Sequence, residues 1–156
     1  PGDNFDLRGS HVLPALIRKV VEAKLAGKRE LVVWGTGKPR REFLYSDDLA
    51  EACIHLLNLP EPIYDDLIHG EEPPLVNIGT GKDLTVRELA ELIASILEFD
   101  CELILDTTRP DGTPQKRLDV SRVNALGWRA STSMEDGIRR TFQAAKSQLE
   151  TAACTG

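Results

Sequence analysis

The chain has 156 residues and a mass of 17.2 kDa, with 41% hydrophobic and 28% charged residues and a formal net charge of −6. That is the composition of one water-soluble globular domain or of part of a larger one, and no apolar run approaches the ~18 residues of a membrane span. The acidic balance, with a pI near 5.1, excludes nucleic-acid binding through a broad basic field, but leaves room for a small anion at a local basic pocket.

Pro1-Gly2-Asp3-Asn4 reads as the middle of a turn, so the chain is expected to be a piece of a longer protein. Ser10 predicts the N-cap of a first helix, with His11 in its first turn and Pro14 where a missing N–H is tolerated. Leu13, Leu16, Ile17 and Val20 share a face, and Gly27 ends the helix. Glu30 to Trp34 ("ELVVW") and Arg41 to Tyr45 ("REFLY") read as strands. Ser46 predicts the cap of a second helix, with Asp47 and Asp48 at its positive end and a stripe of Leu49, Ala52, Cys53, Leu56 and Leu57, stopped by Pro60.

Residues 60–74 are acidic and proline-bearing and read as an exposed excursion without function. "LVNIG" to Gly79 reads as a strand, and Thr85 with Glu88 as a capping box that opens a helix burying Leu89, Leu92, Ile93, Ile96 and Leu97. "CELILD" is another strand, followed by a polar turn region; Ser121 predicts the cap of a short helix ending at Gly127, and Ser133 that of a last helix to Gln148. The total, about five helices and four short strands, predicts an α/β or mixed α+β fold with too few strands for a complete doubly wound sheet. No linker divides it: residues 1–150 read as one substrate-binding domain and 151–156 as a disordered tail. Cys53, Cys101 and Cys154 are too scattered for a disulfide framework or a zinc site, which implies no metal and reduced thiols in a cytoplasm.

Gly-Thr-Gly-Lys occurs twice, at Gly35 and Gly79, each time after a predicted strand and before a helix. A Walker loop needs a glycine where Val32 and Val76 stand, and a Rossmann fingerprint needs one where Arg40 and Leu84 stand, so neither phosphate motif is present. The first copy carries Lys38, Arg40 and Arg41. Strand alternation sends Arg40 and Arg41 to opposite sides, so only one can enter a pocket. Arg41 then either lies on the surface, with Asp47 or Asp48 as ion partners, or forks onto a diphosphate beside the flat Trp34 indole.

The succession "SHVLPALIRK", "VVWGTGKPRREFLYSDDLAEA", "VNIGTGKDLTVRELAELI" and "RPDGTPQKRLDVSRVNALGW" resembles the carboxyl-terminal half of the GDP-L-fucose synthase family of extended short-chain dehydrogenases/reductases. "REFLYSDDLA" alone points only to the superfamily. The resemblance implies an NADP-dependent epimerase-reductase acting on a GDP-sugar, as a cytoplasmic homodimer, without nucleic-acid or membrane partners. The Tyr-x-x-x-Lys pair of that family is missing, since Tyr45 and Tyr64 are followed four residues later by Leu49 and Ile68. What remains is the substrate side, which implies an inactive piece. The resemblance makes His11 the proton donor in epimerisation, close to the nicotinamide, and puts Lys19, Trp34, Arg41, Asp111 and Lys116 around the GDP-sugar. Arg41 is then the residue facing the diphosphate, while Arg40 faces water. An imidazole near neutral pH can exchange protons at a carbon next to a ketone, and Lys19 lies about 12 Å beyond His11 on the same helix. His55 and His69 read as surface residues. Two other readings stay open: another sugar-nucleotide epimerase or dehydratase of the superfamily, and a noncatalytic binding or assembly module.

Overall fold

The structure, a computed structural model, describes residues 2–154, with side chains through residue 151. In chain order the elements are α1 (Val12–Leu25), β1 (Glu30–Trp34), β2 (Arg40–Glu42), α2 (Ser46–Leu57), α3 (Glu61–His69), β3 (Asp83–Thr85), α4 (Val86–Ile96), β4 (Glu102–Asp106), β5 (Gln115–Lys116), α5 (Ser121–Ala125) and α6 (Met134–Cys154). Strands β1 and β4 form a parallel pair, and three short strands form a second sheet in the order β3-β2-β5. This is the expected mixed α/β class without a complete doubly wound sheet. Where the sequence shows no linker, the chain divides into two compact units, Pro1–Arg41 with Leu84–Gln115 and Ser133–Gly156, and Glu42–Asp83 with Lys116–Thr132. The crossings fall at or inside short strands and beside Ser133, so no glycine- or proline-rich segment announces them.

In the first unit, strand alternation drives the packing. Leu31 and Val33 of β1 are buried while Glu30, Val32 and Trp34 are exposed. Against the unit's core lie the apolar faces of α1 (Leu16, Ile17, Val20), α4 (Leu89, Ala90, Ile93) and α6 (Ile138, Ala145, Leu149), with α1 touching α4, α6 and β1. Each of the leucine, isoleucine and valine side chains contributes about 1.5–3 kcal/mol by leaving water, and the alanines less. The capping box forms as expected: Glu88 N–H donates to Thr85 Oγ1 at 3.0 Å, and Thr85 N–H to Glu88 Oε2 at 2.7 Å.

The second unit has a small core of Ala52, Val123 and Trp128, with Leu44, Val76, Ile78, Val120 and Ala130 packed on it. Beside it the buried carboxylate of Asp48 accepts from Thr132 N–H at 3.0 Å, Thr132 Oγ1 at 2.8 Å and Ser131 Oγ at 3.3 Å. Burial alone would raise its pKa, but these hydrogen bonds outweigh that and hold it below the usual carboxylate value.

Several local expectations give way to the structure. His11, not Ser10, occupies the N-cap position of α1, without a side-chain capping bond; Ser10 N–H donates to Asp6 O at 2.7 Å, and Ser10 Oγ is buried without a partner among the described residues. Tyr45 and Val120 likewise occupy the cap positions expected of Ser46 and Ser121. The ladder of β2 ends at Glu42, short of Tyr45. Only Asp48 and Ala52 of α2 are buried, while Leu49 and Leu57 of the predicted stripe stand 44% and 73% exposed. The acidic stretch after Pro60 forms α3, started by Pro62 near its amino end and pinned by the buried Leu67. Val76 and Ile78 of "LVNIG" pack on the second core without entering a ladder. Helix α6 overruns Gln148 and continues through Cys154, across residues that favour helix; of the expected disordered tail, residues 155 and 156 lie outside the described residues.

Candidate functional site

Trp34 and Asp106 are paired on the last rung of the β1–β4 ladder. Both parallel strands end there, which is where open α/β sheets present their loops to ligands. Trp34 is 53% exposed, with Lys19 Nζ at 4.7 Å and Arg109 Cζ at 5.0 Å from the centroid of its ring. Lys19 reaches it from α1 and donates to Val32 O at 3.0 Å. Burial pulls the Lys19 pKa below its ordinary value, against the opposing charges of Asp106 and Glu22. Asp106 accepts from Thr108 Oγ1 at 2.5 Å and Thr108 N–H at 3.1 Å, and pairs loosely with Arg109 at 3.9 Å. The Thr108 hydroxyl is the main cause holding the Asp106 carboxyl below its usual value.

The turn that follows Trp34 is closed by the chain's own carboxylate. Thr36 donates to Asp111 through its N–H at 2.8 Å and its hydroxyl at 2.6 Å. These bonds depress the Asp111 pKa. Gly35, at φ +77°, leaves its Cβ position to the Asp111 carboxylate, so a side chain there would meet both strain and a filled space. Arg41 holds the same loop from another side: its Nη1 donates to Thr113 O at 2.6 Å and Arg40 O at 2.7 Å. Arg40, expected to face water, lies 3.8 Å from Glu88 of the capping box.

The second glycine turn is also occupied. Glu42 Oε1 accepts from Thr80 N–H at 2.6 Å and Gly81 N–H at 2.7 Å, and Oε2 from Leu118 N–H at 2.7 Å. In the first copy Thr36 N–H, and in the second Thr80 and Gly81 N–H, donate to a carboxylate of this chain. Those donors are not open to the diphosphate of a dinucleotide such as NADP.

Of the predicted site residues, Lys19 and Trp34 meet directly, and Asp111 and Arg41 hold one loop, residues 111–113, against the turn after Trp34. Lys116 is exposed on β5 and belongs to the second unit. His11 is exposed at the start of α1, and its side chain makes no capping bond. His55, expected at the surface, is half-buried, and its Nε2 lies 2.7 Å from Leu126 O. Sequence reasoning passed over Arg109. Its signal was the spacing Asp106-x-x-Arg109 directly after a strand, which brings a guanidinium back over the strand end.

A model of the NAD dependent epimerase/dehydratase family matches residues 1–79. Among curated proteins, GDP-L-fucose synthase 1 of Arabidopsis thaliana is 49% identical over 142 residues, covering 91% of this chain and 41% of that protein. GDP-L-fucose synthase of Escherichia coli is 43% identical over 145 residues, 92% of this chain and 44% of that protein. The crystal structure of a GDP-L-fucose synthetase from Naegleria fowleri bound to NADP superposes with a TM-score of 0.76 at 28% identity, over 97% of this chain and 44% of that one. The chain thus spans less than half the length of the curated relatives it matches. No helix among the described residues is long and apolar enough to cross a membrane.

Proposed function

Because this chain belongs to the NAD dependent epimerase/dehydratase family, we propose that it is the substrate-binding part of an NADP-dependent epimerase-reductase that converts GDP-4-keto-6-deoxy-D-mannose to GDP-L-fucose. The observation that carries the reading is the exposed Trp34 indole between Lys19 and Arg109 at the carboxyl end of the parallel pair. A flat apolar face flanked by cations suits a nucleobase or sugar joined to a diphosphate. The similarity to GDP-L-fucose synthases over nine-tenths of the chain supports the guanine nucleotide in particular.

In this reading Lys19 offers charge to the ligand from α1, and Arg41 and Asp111 shape the loop that borders it. Lys116, exposed on β5 in the second unit, is the remaining cation that the resemblance assigns to the GDP-sugar. His11, exposed and not engaged as a cap, exchanges the proton at the carbon next to the substrate's ketone. NADP, which supplies hydride when bound, is held mostly by residues outside this chain, with His11 close to its nicotinamide. The whole enzyme is a cytoplasmic homodimer, and this chain alone does not reduce substrate. Calorimetric titration with GDP, UDP and dTDP tests the proposal: GDP is expected to bind tightest. Equal affinity for all three would remove the guanine assignment, and no binding of any would remove the site.

A further inference from the structure

Asp111 is followed by Gly112, and an aspartyl side chain closes most easily onto the nitrogen of a glycine, where no side chain stands in the way. That nitrogen is open here. Gly112 is exposed, and its N–H donates no hydrogen bond among the described residues. The carboxyl carbon, in contrast, is not free to meet it. Thr36 holds Asp111 Oδ1 through its N–H at 2.8 Å and Oδ2 through its hydroxyl at 2.6 Å, and the carboxylate fills the space that a Cβ on Gly35 would need. Ring closure requires the group to swing Cγ onto the Gly112 nitrogen and, once protonated, to lose an oxygen as water. Both steps mean leaving Thr36, whose hydrogen bonds also hold the Asp111 pKa down and keep the group ionised.

We infer that Asp111-Gly112 is a latent modification site, at which the chain isomerises to a β-aspartyl linkage when the Thr36 tether is released. In the first step the Gly112 nitrogen bonds to Asp111 Cγ, and its proton leaves with the carboxyl hydroxyl as water, giving a five-membered succinimide. Water then opens the ring, and opening at the backbone carbonyl leaves Gly112 joined through the Asp111 side chain. The product carries one more methylene in the main chain and its carboxylate directly on Cα. That shorter carboxylate no longer fills the notch at Gly35, so residues 111–113 lose the Thr36 tie and keep only the bond from Arg41 to Thr113 O at 2.6 Å. Nothing in this step depends on a nucleotide.

The test incubates the wild-type chain at one temperature and pH, folded or unfolded in guanidinium chloride, and measures β-linked aspartate at position 111 by peptide mapping. The folded chain is expected to isomerise roughly tenfold more slowly than the unfolded one, the effect of a charge-assisted hydrogen bond that must break first. Thr36→Val, which removes the hydroxyl and keeps the N–H, should isomerise several-fold faster than folded wild type, while Thr36→Ser, which keeps both donors, should match it. Adding Gly112→Ala to Thr36→Val should suppress the product, and the loop can keep its course because the new Cβ meets only the end of the Arg41 side chain, at 3.0 Å. Equal rates in folded and unfolded wild type would show that the fold guards nothing, a result that overturns the inference even where Thr36→Val fails to fold. A Thr36→Val rate equal to that of folded wild type, or an unfolded chain that forms no β-aspartate, would overturn it as well.

Discussion

The tetrapeptide Gly-Thr-Gly-Lys stands at Gly35 and again at Gly79, and each copy is closed by an internal carboxylate, yet the two closures differ in kind. Glu42 spends both oxygens on three backbone N–H groups, from Thr80, Gly81 and Leu118, and is itself half-buried. Asp111, among the described residues, accepts hydrogen bonds from Thr36 alone, and it stands exposed on a loop. The first closure is a structural joint of the second unit. The second is a surface tether beside the exposed indole. Identical letters therefore serve stability in one unit and loop placement in the other, and the partner carboxylate decides which.

The largest expected effect comes from breaking the joint. Glu42→Ala leaves three backbone donors unpaired and should lower the unfolding free energy by about 3 kcal/mol, with Glu42→Gln at about half of that, as read from urea denaturation. A loss below 0.5 kcal/mol for the alanine variant would put both closures in the same class. Next, Trp34→Ala should leave the unfolding transition close to wild type and weaken GDP about tenfold in calorimetry, the effect of losing a stacking surface for one base. A large drop in stability without a change in affinity would reverse the contrast.

Smaller is the effect of cutting the tether. Asp111→Asn should leave the melting temperature within a degree or so of wild type and weaken GDP by a few-fold, because the loop carrying Arg109 is less well placed. The smallest is an acid effect on the same tether. The folded Asp111 pKa lies below its ordinary 3.8, through hydrogen bonds from Thr36. Its contribution is therefore complete above that ordinary value and disappears as pH falls through the lower folded one. Amide exchange at Thr36, corrected for intrinsic rate, should accelerate below pH 3.8. Protection that stays constant down to the pH of global unfolding would show that Asp111 does not hold the turn.

What the sequence made legible was local. The alternation of "ELVVW", the α1 face of Leu16, Ile17 and Val20 and the Thr85–Glu88 box each rest on residues close in the chain and formed as read, while Leu13 of that face is only partly buried. Strand parity sends Arg40 and Arg41 to opposite sides, and their partners differ: Glu88 lies near Arg40, and Thr113 O accepts from Arg41. Parity could not say that Arg41 would grip backbone carbonyls of residues 40 and 113. Glu42 was hidden for the same reason: its donors lie at Thr80 and Leu118, and no spacing rule links a strand residue to turns so distant. Helix α3 was obscured by composition, since an acidic run with prolines reads as loop until Leu67 finds a core. In the site, Lys19 and Trp34 were nameable by resemblance, whereas Arg109 sits in an irregular loop with no periodicity to mark it.

The pairing of Glu30 with Glu102 also governs how the chain is made. On the ribosome, β1 emerges long before the strand that completes its ladder, with the whole of Glu42–Asp83 in between. Its edge must wait unpaired, and closing so long a loop is slow. The early-made Val32, 41% exposed in the folded chain, is then a place where a nascent chain would attract a chaperone or another unfinished copy.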